Sequence, residues 1–186
     1  MKNPYLYGYL PLISVVLFSL TFGVYAVTES IKLFKVIGVY SGMSQFMSDI
    51  EIRILLLIVF MLCFFMLFSA LKLVGETIHE LGMLFFAKEL QVETYSNAKS
   101  ASTIVFFGAI ASAFGMSSLM LLALIFAATM IVYFMFVVYK MSDAMSTSGL
   151  VGLIMFEVLI WAASIVGIGY VIVRLYNTLL SSLPIS

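Results

Sequence analysis

The single histidine of the chain, His79, stands in the run Lys72-Leu-Val-Gly-Glu76-Thr-Ile-His79-Glu80-Leu-Gly-Met83. Residues three and four apart share one face of a helix, so Ser69, Lys72, Glu76, His79, Glu80 and Met83 line up along one side. Glu76, His79 and Glu80 bring an imidazole and two carboxylates within a turn. These are donors that hold a transition metal when another helix or chain completes the set. With Lys72 they also form a juxtamembrane polar face in which Lys72, Glu76, His79 and Glu80 pair among themselves. That is the expectation carried forward, with no metal, no other cofactor and no catalytic group.

Glu157 is the second candidate. It lies about two turns inside the apolar run Leu150 to Val173. A bare carboxylate is costly there, so Glu157 must be neutralised, paired or open to a wet cavity. Intramembrane acids mark proton and cation paths, and they also tie helices together. A neutral acid bonded to a neighbouring Ser, Thr or Tyr satisfies it, as does a pair with Lys72, at the end of another apolar run facing the same side.

The remaining chemistry-bearing residues read as packing. The 13 methionines and 17 phenylalanines are scattered through the apolar runs, as lipid-facing and packing side chains are. Cys63 is the only cysteine and forms no internal disulfide. Gly167-Ile-Gly169 follows no strand and is a packing notch rather than a phosphate loop.

What positions these groups is set by composition. Of 186 residues, 64% are hydrophobic and 10% charged, with a mean hydropathy of +1.21. A water-soluble domain is nearer half apolar and a quarter charged. Apolar runs long enough for ~30 Å of hydrocarbon recur along the chain. Their continuity, without alternation, selects helices over a barrel. The fold class is therefore all-α: a polytopic membrane protein in one transmembrane domain, its main partner the lipid bilayer. Net charge is zero with no basic cluster, which excludes nucleic acid as a partner.

Five spans are expected, at 5–27, 52–74, 102–115, 118–139 and 150–173. The first begins with Tyr5, Tyr7 and Tyr9, an aromatic belt. It is too long for the apolar region of a signal peptide and reads as a retained helix. Residues 28–49 are either an interfacial helix or a solvated continuation of the first span. Ser48 or Asp49 caps the second, which continues beyond the bilayer through 75–90. Thr103 to Tyr139 is uncharged and too long for one crossing, so it divides at Gly115-Met-Ser-Ser118. Gly108, Ala109, Ala111, Ser112 and Ala113 before that turn form a small-residue face for close helix packing. Five crossings put the termini on opposite sides. Lys2, Lys72, Lys88, Lys99 and Lys140 against Lys32, Lys35, Arg53 and Arg174 place the N-terminus in the cytoplasm by one residue.

Residues 79–92 resemble the zinc helix of site-2-type intramembrane proteases, where His-Glu-x-Gly-His precedes an Ala-Lys/Arg pair and a Gly-Val. Ala87, Lys88 and Val92 match, whereas Met83 replaces the second histidine and Gln91 the glycine. The family's later Asn-Pro…Asp-Gly element has no counterpart, since Asp143 is followed by Ala144. The resemblance implies a degenerate relative, not an active protease. The whole sequence, from Lys2-Asn-Pro-Tyr5 to the Phe-rich second span, resembles small multi-pass membrane proteins of Bacillus-type bacteria, which implies the plasma membrane. The function expected first is a non-enzymatic membrane component acting through helix contacts, with itself or another membrane protein. A small transporter using Glu157 as its protonatable group is the alternative.

Overall fold

The computed structural model describes residues 4–87, 99–142 and 145–182. Its regular elements are α1 (Pro4–Val36), α2 (Val39–Met43), α3 (Asp49–Phe86), α4 (Ser102–Ala111), α5 (Leu119–Met141) and α6 (Thr147–Ser182). Short 3-10 turns at Lys99–Ala101 and Ser112–Gly115 flank α4. Four helices are long and apolar enough to cross a membrane: α1, α3, α5 and α6. The segment 102–115, expected as a span, is also helical and apolar but reaches only about 20 Å, short of ~30 Å of hydrocarbon.

Charge does not stop these helices, because the charges neutralise one another locally. Glu29 and Lys32 pair at 2.7 Å on α1, which carries on through the solvated stretch to Val36. Asp49 and Arg53 pair at 2.7 Å in the first turn of α3, and Lys72 and Glu76 at 2.7 Å further along. Between Arg53 and Lys72 lies about 27 Å of uncharged helix, close to one hydrocarbon thickness. Ser48 caps α3 as expected, and its backbone N–H donates to Glu51 at 2.8 Å in a reciprocal capping box. The chain reverses into α3 through Gly38, whose φ of 82° is the left-handed conformation glycine tolerates best. Hydroxyls inside α1 bond back to their own helix, Ser14 to Leu10 O at 2.7 Å and Ser19 to Val15 O at 2.6 Å. No water is needed to satisfy them.

The core has two centres. In one, α1 lies antiparallel on α3, with Phe18 and Phe22 against Phe64 and Phe68, and Phe126 of α5 closing the group. Here α4 fills the space beside α1. The Ser112 hydroxyl meets that of Thr21 at 2.9 Å and donates to Ala109 O at 2.6 Å. Gly108 lies so close to Thr129 that a Cβ would fall 2.1 Å from its hydroxyl oxygen. Gly108, Ala109, Ser112 and Gly115 of the small-residue face thus pack inside the chain, while Ala113 is exposed. The second centre, at the other end, gathers Met83, Ala101, Val137, Met141 and Leu153 where α3, α5 and α6 converge.

Candidate functional site

α6 crosses α3 along a seam of glycines. A Cβ on Gly149 would fall 2.6 Å from the carbonyl oxygen of Phe86, and one on Gly152 would fall 2.5 Å from its ring. On the facing helix, a Cβ on Gly82 would lie 2.4 Å from Leu153 Cδ1, while Gly75 faces the Trp161 ring. The contacts descend α3 from Phe86 through Gly82 to Gly75 as they ascend α6 from Gly149 through Leu153 to Trp161. Two antiparallel faces at helical spacing therefore meet, backbone against backbone at Gly149 and glycine against side chain elsewhere.

Within that ladder His79 comes level with Glu157. The imidazole Nδ1 lies 2.6 Å from Glu157 Oε1, with the carboxylate side chain 6% exposed and the histidine 19%. On its other edge Nε2 meets the sulfur of Met141, the last residue of α5, at 3.1 Å. A thioether accepts but cannot donate, so the hydrogen on this edge belongs to Nε2. One further hydrogen lies between Nδ1 and Oε1, on the ring or on the carboxyl. In either arrangement histidine and glutamate together carry no net charge, the condition a carboxyl needs to sit 5% exposed among apolar helices.

Of the states open to Glu157, neutral, paired or facing a wet cavity, the structure shows a buried acid against an imidazole, and the partner is His79 rather than Lys72. Lys72 is two turns earlier on α3, about 10 Å away along the axis, and is taken by Glu76. The seam glycines fix the axial register that decides this. Glu76 and Glu80 are exposed. Among the described residues no group of three or more histidine, cysteine or acidic side chains is placed to hold a metal. Met83, at the second-histidine position of the protease-like string, is buried beneath Leu153. Lys88, Gln91 and Val92 of that string, the end of the 75–90 segment, Asp143, Lys2 and the side chain of Lys99 lie outside the described residues. Met141 is the site residue that sequence reasoning missed, because nothing marks one methionine among thirteen.

Comparison with known proteins places this architecture. The model of a family of unknown function, DUF5366, matches residues 27–184, which include His79, Met141 and Glu157. The chain belongs to that family. It is similar to the uncharacterized membrane protein YufK of Bacillus subtilis (strain 168), with 36% identity over 185 residues and 100% of both chains covered. No solved structure matches. The resemblance to small multi-pass proteins of Bacillus-type bacteria is thereby established, and this DUF5366 member is an integral membrane protein. Its site is a buried imidazole–carboxylate pair with a thioether on the far edge, held where three helices meet.

Proposed function

We propose that the protein is a non-enzymatic component of the bacterial plasma membrane that works through helix contacts, as a homo-oligomer or an accessory subunit. The observation that supports this reading is the second half of α6. Its first half is locked to α3 by the seam, yet from Ile165 to Ser181 every described side chain is exposed. Gly167 and Gly169 stand there with nothing within 4 Å of where a Cβ would be. In lipid, open small residues let a second backbone approach closely, and packing rather than hydrophobicity drives association. Of the small residues of 108–115, Ala109, Ser112 and Gly115 are already buried within the chain, so the contact surface we propose is on α6.

The test is a photo-crosslinking amino acid in place of Tyr170 or Ile168, activated in native membranes. A discrete protein adduct, either a dimer or a heavier species, is expected. Adducts to lipid alone from both positions overturn the reading. The imidazole–carboxylate pair favours a second one, proton-coupled transport through Glu157. Glu157→Gln would then abolish proton-driven uptake in vesicles while leaving the folded protein intact. A structural pair loses thermal stability instead.

A further inference from the structure

We propose that His79 and Met141 form a binding site for one soft monovalent metal ion, Cu(I) or Ag(I), with Glu157 as the carboxylate that orients the histidine. The first support is geometric. At about 2.0 Å to imidazole nitrogen and 2.3 Å to sulfur, the lengths of zinc sites, two ligands at ~90–110° on one ion stand ~3.1–3.5 Å apart, and a larger soft ion holds them further apart. The Nε2 to sulfur distance is 3.1 Å. The ion takes the place of the Nε2 hydrogen as the flexible Met141 side chain draws back from the ring.

The second support is the partner of the other ring nitrogen. A metal-bound histidine donates its remaining N–H to a carboxylate or carbonyl, which fixes the tautomer and strengthens the donor. Glu157 occupies that position, 2.6 Å from Nδ1 and almost fully buried. The third is the supply of soft ligands. Met83, one turn beyond His79 on α3, and Met145, in the turn after α5, belong to the same cluster as Met141. Thioethers select Cu(I) over harder ions, and the three rotatable bonds of methionine let a second sulfur swing in as third ligand. Met141 ends α5 and Met145 lies in the connection to α6, so these sulfurs sit near one end of the bundle.

Charge decides the valence. The pair holds two hydrogens at zero net charge. Binding breaks the Nε2–H bond, releases one proton to solvent and forms a metal–nitrogen and a metal–sulfur bond, with Nδ1–H retained on the Glu157 carboxylate. Exchange of H⁺ for a monovalent ion leaves the site neutral. A divalent ion would leave a buried positive charge with no second carboxylate to meet it.

The test uses the full chain in detergent with Cys63→Ser, because Cys63 is an exposed thiol that binds the same ions. Ag(I), which needs no reductant, is added, and the metal retained after desalting is measured alongside the protons released. One Ag(I) and about one proton per chain are expected. Retention should fall at least tenfold in Met141→Leu, and by about 10–100-fold in Glu157→Gln as for other carboxylates that orient a metal-bound histidine. No retained Ag(I), unchanged retention in Met141→Leu, or preferential retention of Zn(II) overturns the proposal. Where Met141→Leu fails to fold, the ring ¹⁵N signals of the only histidine decide: Nε2 must shift on Ag(I) addition while Nδ1 stays protonated, and an unmoved ring overturns it.

Discussion

Gly149→Ala should disrupt the seam between α3 and α6 more than a single methyl group ordinarily does. Its Cβ would fall 2.6 Å from the carbonyl oxygen of Phe86, and ordinary contact begins at 3.4 Å, so the helices must part by about 0.8 Å. The obstacle is backbone and has no rotamer to escape into. Carried along a stiff helix, the same displacement stretches the 2.6 Å His79–Glu157 contact past the ~2.7–2.9 Å of a charge-assisted hydrogen bond. Overpacking costs ~1–3 kcal/mol and a lost hydrogen bond to a charged group ~1.5–3, while alanine returns ~1 as a better helix former. A net loss of about 2–4 kcal/mol is expected, on the order of 5–10 °C in Tm for a chain of this size. Trp161, the only tryptophan, faces Gly75 on the seam, so its fluorescence during thermal unfolding in detergent reports the crossing itself. Gly167→Ala is the control, since its Cβ meets nothing and it should be unchanged or slightly stabilised. Gly82→Ala falls between them, because its clash is with the flexible end of Leu153. If Gly149→Ala unfolds with Gly167→Ala, the close-approach argument is wrong.

Other perturbations separate the remaining contacts. Met141→Leu keeps the volume but removes the acceptor of the buried Nε2–H, and should lower stability by ~1–3 kcal/mol, as chemical denaturation would show. Phe68→Ala removes the ring touching Phe18, Phe22, Phe64 and Phe126, and should cost ~3–5 kcal/mol in the same assay. Lys72→Ala breaks only an exposed pair on one helix turn, so its effect should be at most about 0.5 kcal/mol and additive with Glu157→Gln. The Tyr40 phenol donates to Asp49, where a phenolate would face a carboxylate, and this holds its pKa above the ordinary value. The contact therefore persists below that ordinary value and is lost as pH rises through the raised one. A phenolate difference titration against Tyr40→Phe should show this residue ionising late, and Asp49→Asn should return it to the ordinary range.

Much of the architecture was readable from one-dimensional pattern. Uncharged runs bounded by Arg53 and Lys72 marked a span, Ser48 marked the start of α3, and Gly115 to Ser118 marked the turn between α4 and α5. These depend on neighbours within a few residues, and local chemistry decides them. The burial of Glu157 was readable too, since an acid in an apolar helix has few ways to exist. Its partner was not. His79 and Lys72 share a helix face, and the choice between them depends on the axial register of α3 against α6, set by Gly149 and Gly152 against Phe86. That register is a property of two helices 78 residues apart at the contact and leaves no periodic trace. Met141 was hidden for a related reason: it matters only because α5 ends level with His79. The last apolar run closes at Arg174, whereas the helix continues through that charge to Ser182.

The central claim is that His79 and Glu157 act as one unit joining α3 to α6, and a double-mutant cycle with His79→Gln and Glu157→Gln tests it most directly. Stability of the four proteins in one detergent gives the coupling energy, expected at ~1.5–3 kcal/mol for a buried charge-assisted pair, with the double variant less destabilised than the two single effects combined. Single effects that add to within ~0.3–0.5 kcal/mol would show that the two residues do not interact, and the account of the site would fall with them.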